Sequence, residues 1–257
     1  SPAQQEGMDQ SRALLLEAAA QRHSGAQAVC GDMYCFGWGV PKDDRLSFGY
    51  YEKAAHQGHS GSQYNLGVLY YTEGRGCEQS YERAAEWWDK AARQGELNAM
   101  ASLGWLYCSG QGVPQSFTRA FELYQQCRDM GYTHPFLHKN LGLCYEHGAG
   151  VAKDYMEAQR LYKLASAQGY AQATHHLNNL DEKIRTECPL LGKRVVITGT
   201  SREDLNGRAG KATSFDHDRD RYVVELDDDT DATKGKGKLS LKPGNLVVLV
   251  GRKGNLE

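Results

Sequence analysis

The sequence predicts a mostly α-helical chain with a small β part: a right-handed α-solenoid of about four helix-pair repeats with capping helices, then a small β-barrel. Three observations carry this. A glycine recurs at Gly31, Gly67, Gly104 and Gly142, at intervals of 36, 37 and 38 residues. A second recurs at Gly39, Gly76, Gly112 and Gly150, and a third at Gly58, Gly95, Gly131 and Gly169, both at intervals of 37, 36 and 38. After Cys188-Pro189 the repetition stops, and short β-branched runs bounded by glycine take over.

The elements follow in chain order. Residues 11–22 read as a lone helix closing the N-terminal end, so 1–25 form the cap. Within each repeat, apolar residues around the first glycine keep helical spacing, as Leu141, Cys144 and Tyr145 do in the fourth. The glycine itself lets a partner helix approach closely. Gly148 and Gly150 end that helix, because glycine reaches the left-handed conformation cheaply. Four residues after the second glycine stand Asp43, Ser80, Ser116 and Asp154, all favoured N-cap types. Glu157 predicts a capping box with Asp154. Each second helix turns aromatic and aliphatic pairs inward: Tyr50-Tyr51, Trp87-Trp88, Leu123-Tyr124 and Leu161-Tyr162. Small residues follow them and permit tight helix packing. Aromatics that recur once per unit are core, not a cofactor box. The repeats span 26–187, ending in a solitary first helix over 171–184 whose polar residues face water.

Leu103-Gly104, Tyr107, Gly110-Gln111-Gly112-Val113, Ala120 and Tyr124 match nearly letter for letter the pattern of the SEL-one-like repeat, which the chain resembles over 26–169. That family is a branch of the tetratricopeptide superfamily. One extra residue between Tyr70 and Gly74, and Cys77 in place of valine, depart from the pattern. A longer connection over 131–140, containing Pro135, predicts irregular geometry between the third and fourth units.

The resemblance implies a curved array whose first helices line a concave groove. The positions it places there include Asp32, Tyr64, Asn65, Trp105, Lys139, Asn140, His176 and Asn179. Asn65 and Asn140 fall where some tetratricopeptide domains grip a peptide backbone or carboxylate, since an amide both donates and accepts. Trp105 among polar neighbours has the character of a binding hot spot, and Lys139 or His176 adds charge. The plainer alternative is a solvated polar face.

Residues 190–257 form the second part. Runs at 193–199, 221–227, 239–241 and 246–250 predict four or five strands, closed into a barrel that removes exposed edges. Gly192-Lys193-Arg194-Val195, the Asn206-Gly207 turn, Arg221-Tyr222-Val223-Val224 and Lys242-Pro243 resemble the SH3-like, KOW-type barrels appended to repeat proteins of algae and protists, over 191–249. Such barrels contact proteins and sometimes RNA. Arg194, Arg208, Lys211, Lys234, Lys236 and Lys238 are the candidates for phosphate contact.

Several classes are set aside. A net charge of −2 creates no global field for nucleic acid or an anionic membrane. The longest aliphatic run, 246–250, falls far short of the ~20 residues of a membrane span. The apolar stretch 13–20 lacks a preceding basic segment and carries Glu17, a poor signal peptide. The expectation is an intracellular protein, cytoplasmic or organellar. Seven cysteines without a CxxC read as free thiols, with Cys30 a core residue. Val195 to Gly199 resembles a nucleotide-binding turn but has Glu203 and Leu205 where glycines are needed. Asp216, Asp218 and Asp220 begin like a calcium loop, yet Arg221 stands at its glycine position. His134, His138, His175 and His176 lack zinc-hydrolase spacing with an intervening glutamate. No catalytic, cofactor-binding or metal-binding residue is therefore assigned. The expected role is a non-enzymatic adaptor that holds a protein segment in the groove and supports a larger complex, with RNA binding by the barrel as the alternative.

Overall fold

A computed structural model describes residues 2–227 and 238–249. The acidic and lysine-bearing loop 228–237, and Val250 at the expected end of the last strand, lie outside the described residues. Among the described residues ten α-helices run in order: Pro2–Ala20 (α1), Ser24–Phe36 (α2), Asp44–His56 (α3), Ser60–Tyr71 (α4), Tyr81–Ala92 (α5), Leu97–Ser109 (α6), Phe117–Asp129 (α7), Pro135–His147 (α8), Tyr155–Ala167 (α9) and Ala171–Glu187 (α10). The chain divides into two compact units, 1–132 and 133–257.

The first unit holds α1 and three helix pairs. Within each pair the first glycine has a specific task. A Cβ on Gly31, Gly67 or Gly104 would stand 2.5, 2.4 or 2.7 Å from the ring of Tyr51, Trp88 or Tyr124. The second helix lies so close that only a hydrogen fits beneath its aromatic ring. The chain reverses by a constant device. The carbonyl of the repeat tyrosine (Tyr34, Tyr70, Tyr107) accepts the N–H of the next N-cap residue (Asp43, Ser80, Ser116), each at 2.9 Å. Those side chains then cap α3, α5 and α7. Repeat two absorbs its extra residue at the end of α4, where an extended Thr72 replaces the left-handed glycine that closes α2 and α6.

A ladder of amides, one buried and one exposed in each pair, joins consecutive units. Gln57 Nε2 donates to Gln27 Oε1 at 2.6 Å, and Gln27 Nε2 to the Ala19 carbonyl at 3.0 Å. One repeat later, Gln94 donates to Gln63 at 2.7 Å, and Gln63 to the Ala55 carbonyl at 3.1 Å. The equivalence reaches α1. The turn after α3 bonds Gly58 N to Ala55 O and His59 N to Ala54 O; the turn after α1 bonds Arg22 N to Ala19 O and His23 N to Ala18 O. Arg22, at φ 66°, therefore occupies the slot that Gly58, Gly95 and Gly131 fill at φ 88°, 84° and 81°. α1 is the second helix of a preceding half-repeat, longer at its start than the expected 11–22.

The second unit contains the fourth pair, α8 and α9, with Gly142 set 2.5 Å (as a Cβ) from the Tyr162 ring. The Tyr145 carbonyl accepts the Asp154 N–H at 2.9 Å, and Asp154 caps α9. The expected capping box is corrected here: Glu157 turns instead to Arg160, at 2.7 and 2.6 Å, because the amide it would have satisfied is already bonded to Tyr145. After α10, five strands follow: Arg194–Ile197 (β1), Ala209–Asp216 (β2), Arg221–Leu226 (β3), Lys238–Leu241 (β4) and Leu246–Val248 (β5). They form one antiparallel sheet ordered β4-β3-β2-β1-β5.

The closed barrel expected from the sequence is not formed; β4 and β5 are the two edges. Closure is not needed to cover the apolar face. Val195, Ile197, Ala212, Tyr222 and Val224 join Tyr155, Tyr162 and Leu180 in one buried cluster, so helices α9 and α10 do what a closing strand would. β2, the longest strand among the described residues, follows directly on the Asn206-Gly207 turn, the feature expected in that stretch, and the aspartates 216, 218 and 220 sit at its hairpin with β3. There Asp216 accepts the Asp218 and Arg219 amides.

Candidate functional site

The groove positions of the first unit lie on the first helices α2, α4 and α6. Asp32 is half-buried and accepts the Tyr51 hydroxyl at 2.6 Å. Burial and this carboxylate raise the Tyr51 pKa well above the usual phenol range. Asp32 thus fixes the ring that covers Gly31. Tyr64 gives its carbonyl to Trp88 Nε1 at 3.1 Å, and its hydroxyl bonds Ser102 on the next first helix. Asn65, one residue on, is half-buried, and its side chain makes no hydrogen bond among the described residues. Trp105 is half-buried, and its Nε1 donates to the Tyr71 hydroxyl at 3.2 Å, 34 residues back in the preceding repeat. Tyr71 in turn packs against Trp88, with ring centres 5.5 Å apart. The indole is therefore held in place by the unit before it, with part of its surface open.

The four positions of the second unit differ. Asn140 is 2% exposed, and neither its amide nitrogen nor its oxygen finds a hydrogen-bond partner. Lys139 is also buried, with Nζ 5.3 Å from the Phe136 ring centre. His176 stacks on Tyr162 at 5.4 Å, and burial, then the Lys139 charge, pushes its pKa below the usual histidine value. Tyr162 donates to the buried Glu146 at 2.8 Å, and Glu146 also meets Lys183 at 3.8 Å. Asn179 is exposed and bonds His175 at 3.1 Å. These residues build the interior of the unit and its rim; of the four, only Asn179 presents a freely exposed side chain.

Three basic residues of the sheet stand beside acids, while Arg221 in β3 donates to the Ser240 carbonyl at 3.1 Å. Arg194 pairs with Asp227, Lys238 with Glu225 at 2.9 Å, and Lys211 sits opposite Glu225 in the strand register. Lys234 and Lys236 lie outside the described residues. Among the described residues no group of three or more His, Cys, Asp or Glu is arranged to hold a metal ion, none of the seven cysteines is in a disulfide, and no helix is long and apolar enough to cross a membrane.

Sequence reasoning missed two contributors. Tyr71 positions Trp105 but lies at the insertion that shifts repeat two out of register. Gln27 and Gln63 recur 36 residues apart, and Gln57 and Gln94 37 apart, yet only the Gln27–Gln57 and Gln63–Gln94 contacts show that they bridge units.

Comparison with known proteins agrees with this geometry. The Sel1 repeat model matches residues 24–59, 60–96, 97–132 and 138–170, breaking off where the longer connection was expected. An ERAD-associated E3 ubiquitin-protein ligase component, HRD3B of Arabidopsis thaliana, is 31% identical over 102 residues, which is 40% of this chain and 17% of that protein. A Sel1 repeat protein from Oxalobacter formigenes is 31% identical with a TM-score of 0.56, over 63% of each chain. The protective antigen c5321 of uropathogenic Escherichia coli, described as an SLR fold, is 27% identical with a TM-score of 0.60, over 67% of this chain and 36% of its own. The chain thus spans less than two thirds of each of these relatives. Four matched units, each with its glycine seated under a second-helix ring, establish that the chain belongs to the Sel1 repeat family.

Proposed function

We propose that this protein is a non-enzymatic adaptor that holds an extended protein segment along the first helices of residues 1–132, with Trp105 as the anchor and Asn65 as the backbone clamp. Sel1 repeat proteins are generally protein–protein interaction scaffolds, and HRD3B is named as a component of a ligase assembly. The observation that carries the finer reading is the pre-set Trp105. A half-exposed indole already fixed by Tyr71 loses little side-chain entropy on binding, which favours an anchor over an ordinary surface aromatic. Asn65 stands ready to donate to and accept from a peptide backbone. Asp32 and Tyr64 border this strip and keep its walls in place. Cysteines that form no disulfide suit a reducing, intracellular compartment. The strand order, with a single 3-10 turn (Pro243–Asn245) between β4 and β5, supports an SH3-like relationship for the sheet. The locally paired charges there favour a structural or protein-contact role over RNA.

Photo-crosslinking from position 68, and affinity capture, with chains that carry Trp105 and Asn65 or the Trp105→Ala or Asn65→Ala substitution, test this. Recovery of cross-linked proteins should fall at least tenfold in Trp105→Ala at unchanged helicity. Equal recovery from all three chains sinks the groove reading.

A further inference from the structure

We infer that the open hollow between the C-terminal ends of α1 and α3 is a carboxylate-binding site, in which Arg22 and Lys53 take an acidic side chain from a partner polypeptide. The hollow has a volume of about 640 Å³, and Arg22, Glu52, Lys53, His56 and Gln57 line it together with the alanines that end α1. None of these belongs to the strip of Asn65 and Trp105, so the surface is a separate one.

The next repeat shows why this junction is open. Counting back from the closing turns, Ala20 corresponds to His56, and Tyr50 to Trp87. Between α3 and α5 the His56 ring stands edge-on to Trp87, with centres 5.1 Å apart, so a ring occupies the equivalent space. Between α1 and α3 the methyl group of Ala20 takes the place of that ring. The charges differ as well. In α5, Asp89 holds Arg93 at 2.8 Å, and Lys90 lies 4.0 Å from the Trp87 ring centre. Their counterparts Glu52, His56 and Lys53 form no ion pair among the described residues, and Lys53 stands 5.5 Å from the Tyr50 ring centre.

Arg22 is the decisive residue. At φ 66° it holds a left-handed conformation that Gly58, Gly95 and Gly131 take without strain. The guanidinium gained in exchange is exposed and meets no acid among the described residues, so nothing within the fold offsets the strain. A strained residue beside an open hollow points to a ligand. Two cations against Glu52 leave one positive charge, which suits a single carboxylate; a doubly charged phosphate would be repelled by Glu52. The guanidinium fork can donate to both carboxylate oxygens, and Glu52 remains to accept an N–H from the incoming chain.

The probe is the tripeptide Ac-Gly-Glu-Gly-NH2, titrated into the full chain and followed by the Nε–Hε NMR signal of Arg22. A saturable shift is expected, absent with Ac-Gly-Gln-Gly-NH2. Arg22→Gly and Lys53→Gln should each weaken binding at least fivefold, read from the backbone amide of Gln57. Arg22→Gly relieves the turn, so the melting temperature should rise while binding falls, a combination that loss of structure would not produce. Ala20→His, which restores the ring of the next junction, should weaken binding equally, and Trp105→Ala should leave it unchanged. Equal shifts with the two peptides, or an affinity indifferent to Arg22→Gly, overturn the inference. So does tighter binding of the phosphoserine tripeptide, because phosphate would then be the ligand. An Arg22 signal that moves on Asp228→Asn without peptide also overturns it, because the chain's own acidic loop would then be the occupant.

Discussion

A single hydrogen atom decides whether two helices of a repeat can meet. At Gly67 an added methyl would lie 2.4 Å from Trp88 atoms, so either the ring or the helix must shift. Gly67→Ala is expected to lower the stability of the first unit by about 2 kcal/mol, as overpacking does, read by urea unfolding followed through tryptophan fluorescence. Gly131→Ala meets no atom within 4 Å and suffers only its φ of 81°, which predicts about 1 kcal/mol. Equal losses at both sites would remove close packing as the explanation. Arg22 presents the reverse case: a side chain sits where the repeat uses glycine. Arg22→Gly should raise stability, by up to about 1 kcal/mol, through relief of the left-handed strain, partly offset by the looser unfolded chain.

Between elements, the amide ladder is the specific part of the inter-repeat contact. Gln27 and Gln63 are buried, and each satisfies a helix-end carbonyl that would otherwise lose water without gaining a partner. Replacing Gln63 by Met should cost about 1–2 kcal/mol, since both the Ala55 carbonyl and the Gln94 amide lose their bonds. The third unit carries Met100 and Met130 at the corresponding positions, so the Gln63→Met/Gln94→Met pair should recover part of that loss. A double-mutant cycle with no coupling would show that the glutamines act independently. The period, the caps and the glycine slots were all readable because each is a local requirement repeated four times. The half-repeat was not, because Arg22 broke the glycine register that revealed the others. Barrel closure was also misjudged: the strands are legible one by one, but whether an edge needs a partner depends on what lies on the sheet's face.

For the molecule as a whole, the two units should respond differently to pH. His138, His176 and His217 all belong to the second unit, and burial, the largest cause in each, lowers their pKa values below the usual 6.5. A lowered value in the folded state means that the unfolded chain binds protons first. The associated stability is complete above about pH 6.5 and is lost as pH falls through the folded values. Hydrogen exchange should show the second unit losing protection between pH 7.5 and 5. All four tryptophans lie in the first unit, so their fluorescence midpoint serves as the internal reference. Parallel loss in both units contradicts the assignment. Removing residues 190–257 should likewise unfold the second unit while sparing the first, because Tyr155, Tyr162 and Leu180 share their burial with the strands. A truncated chain that keeps a fully protected α9 would refute that shared core.

The sequence by itself determined the repeat, its length, its helix boundaries and its close helix crossings, because each depends on a residue type at a fixed spacing. Tertiary structure alone decided which groove positions stay open and which become interior. Lys139 and Asn140 occupy the same repeat positions as Tyr64 and Asn65, yet they are buried while Asn65 keeps a free amide. Repetition fixes the direction in which a side chain leaves its helix, whereas exposure depends on the neighbours that direction meets.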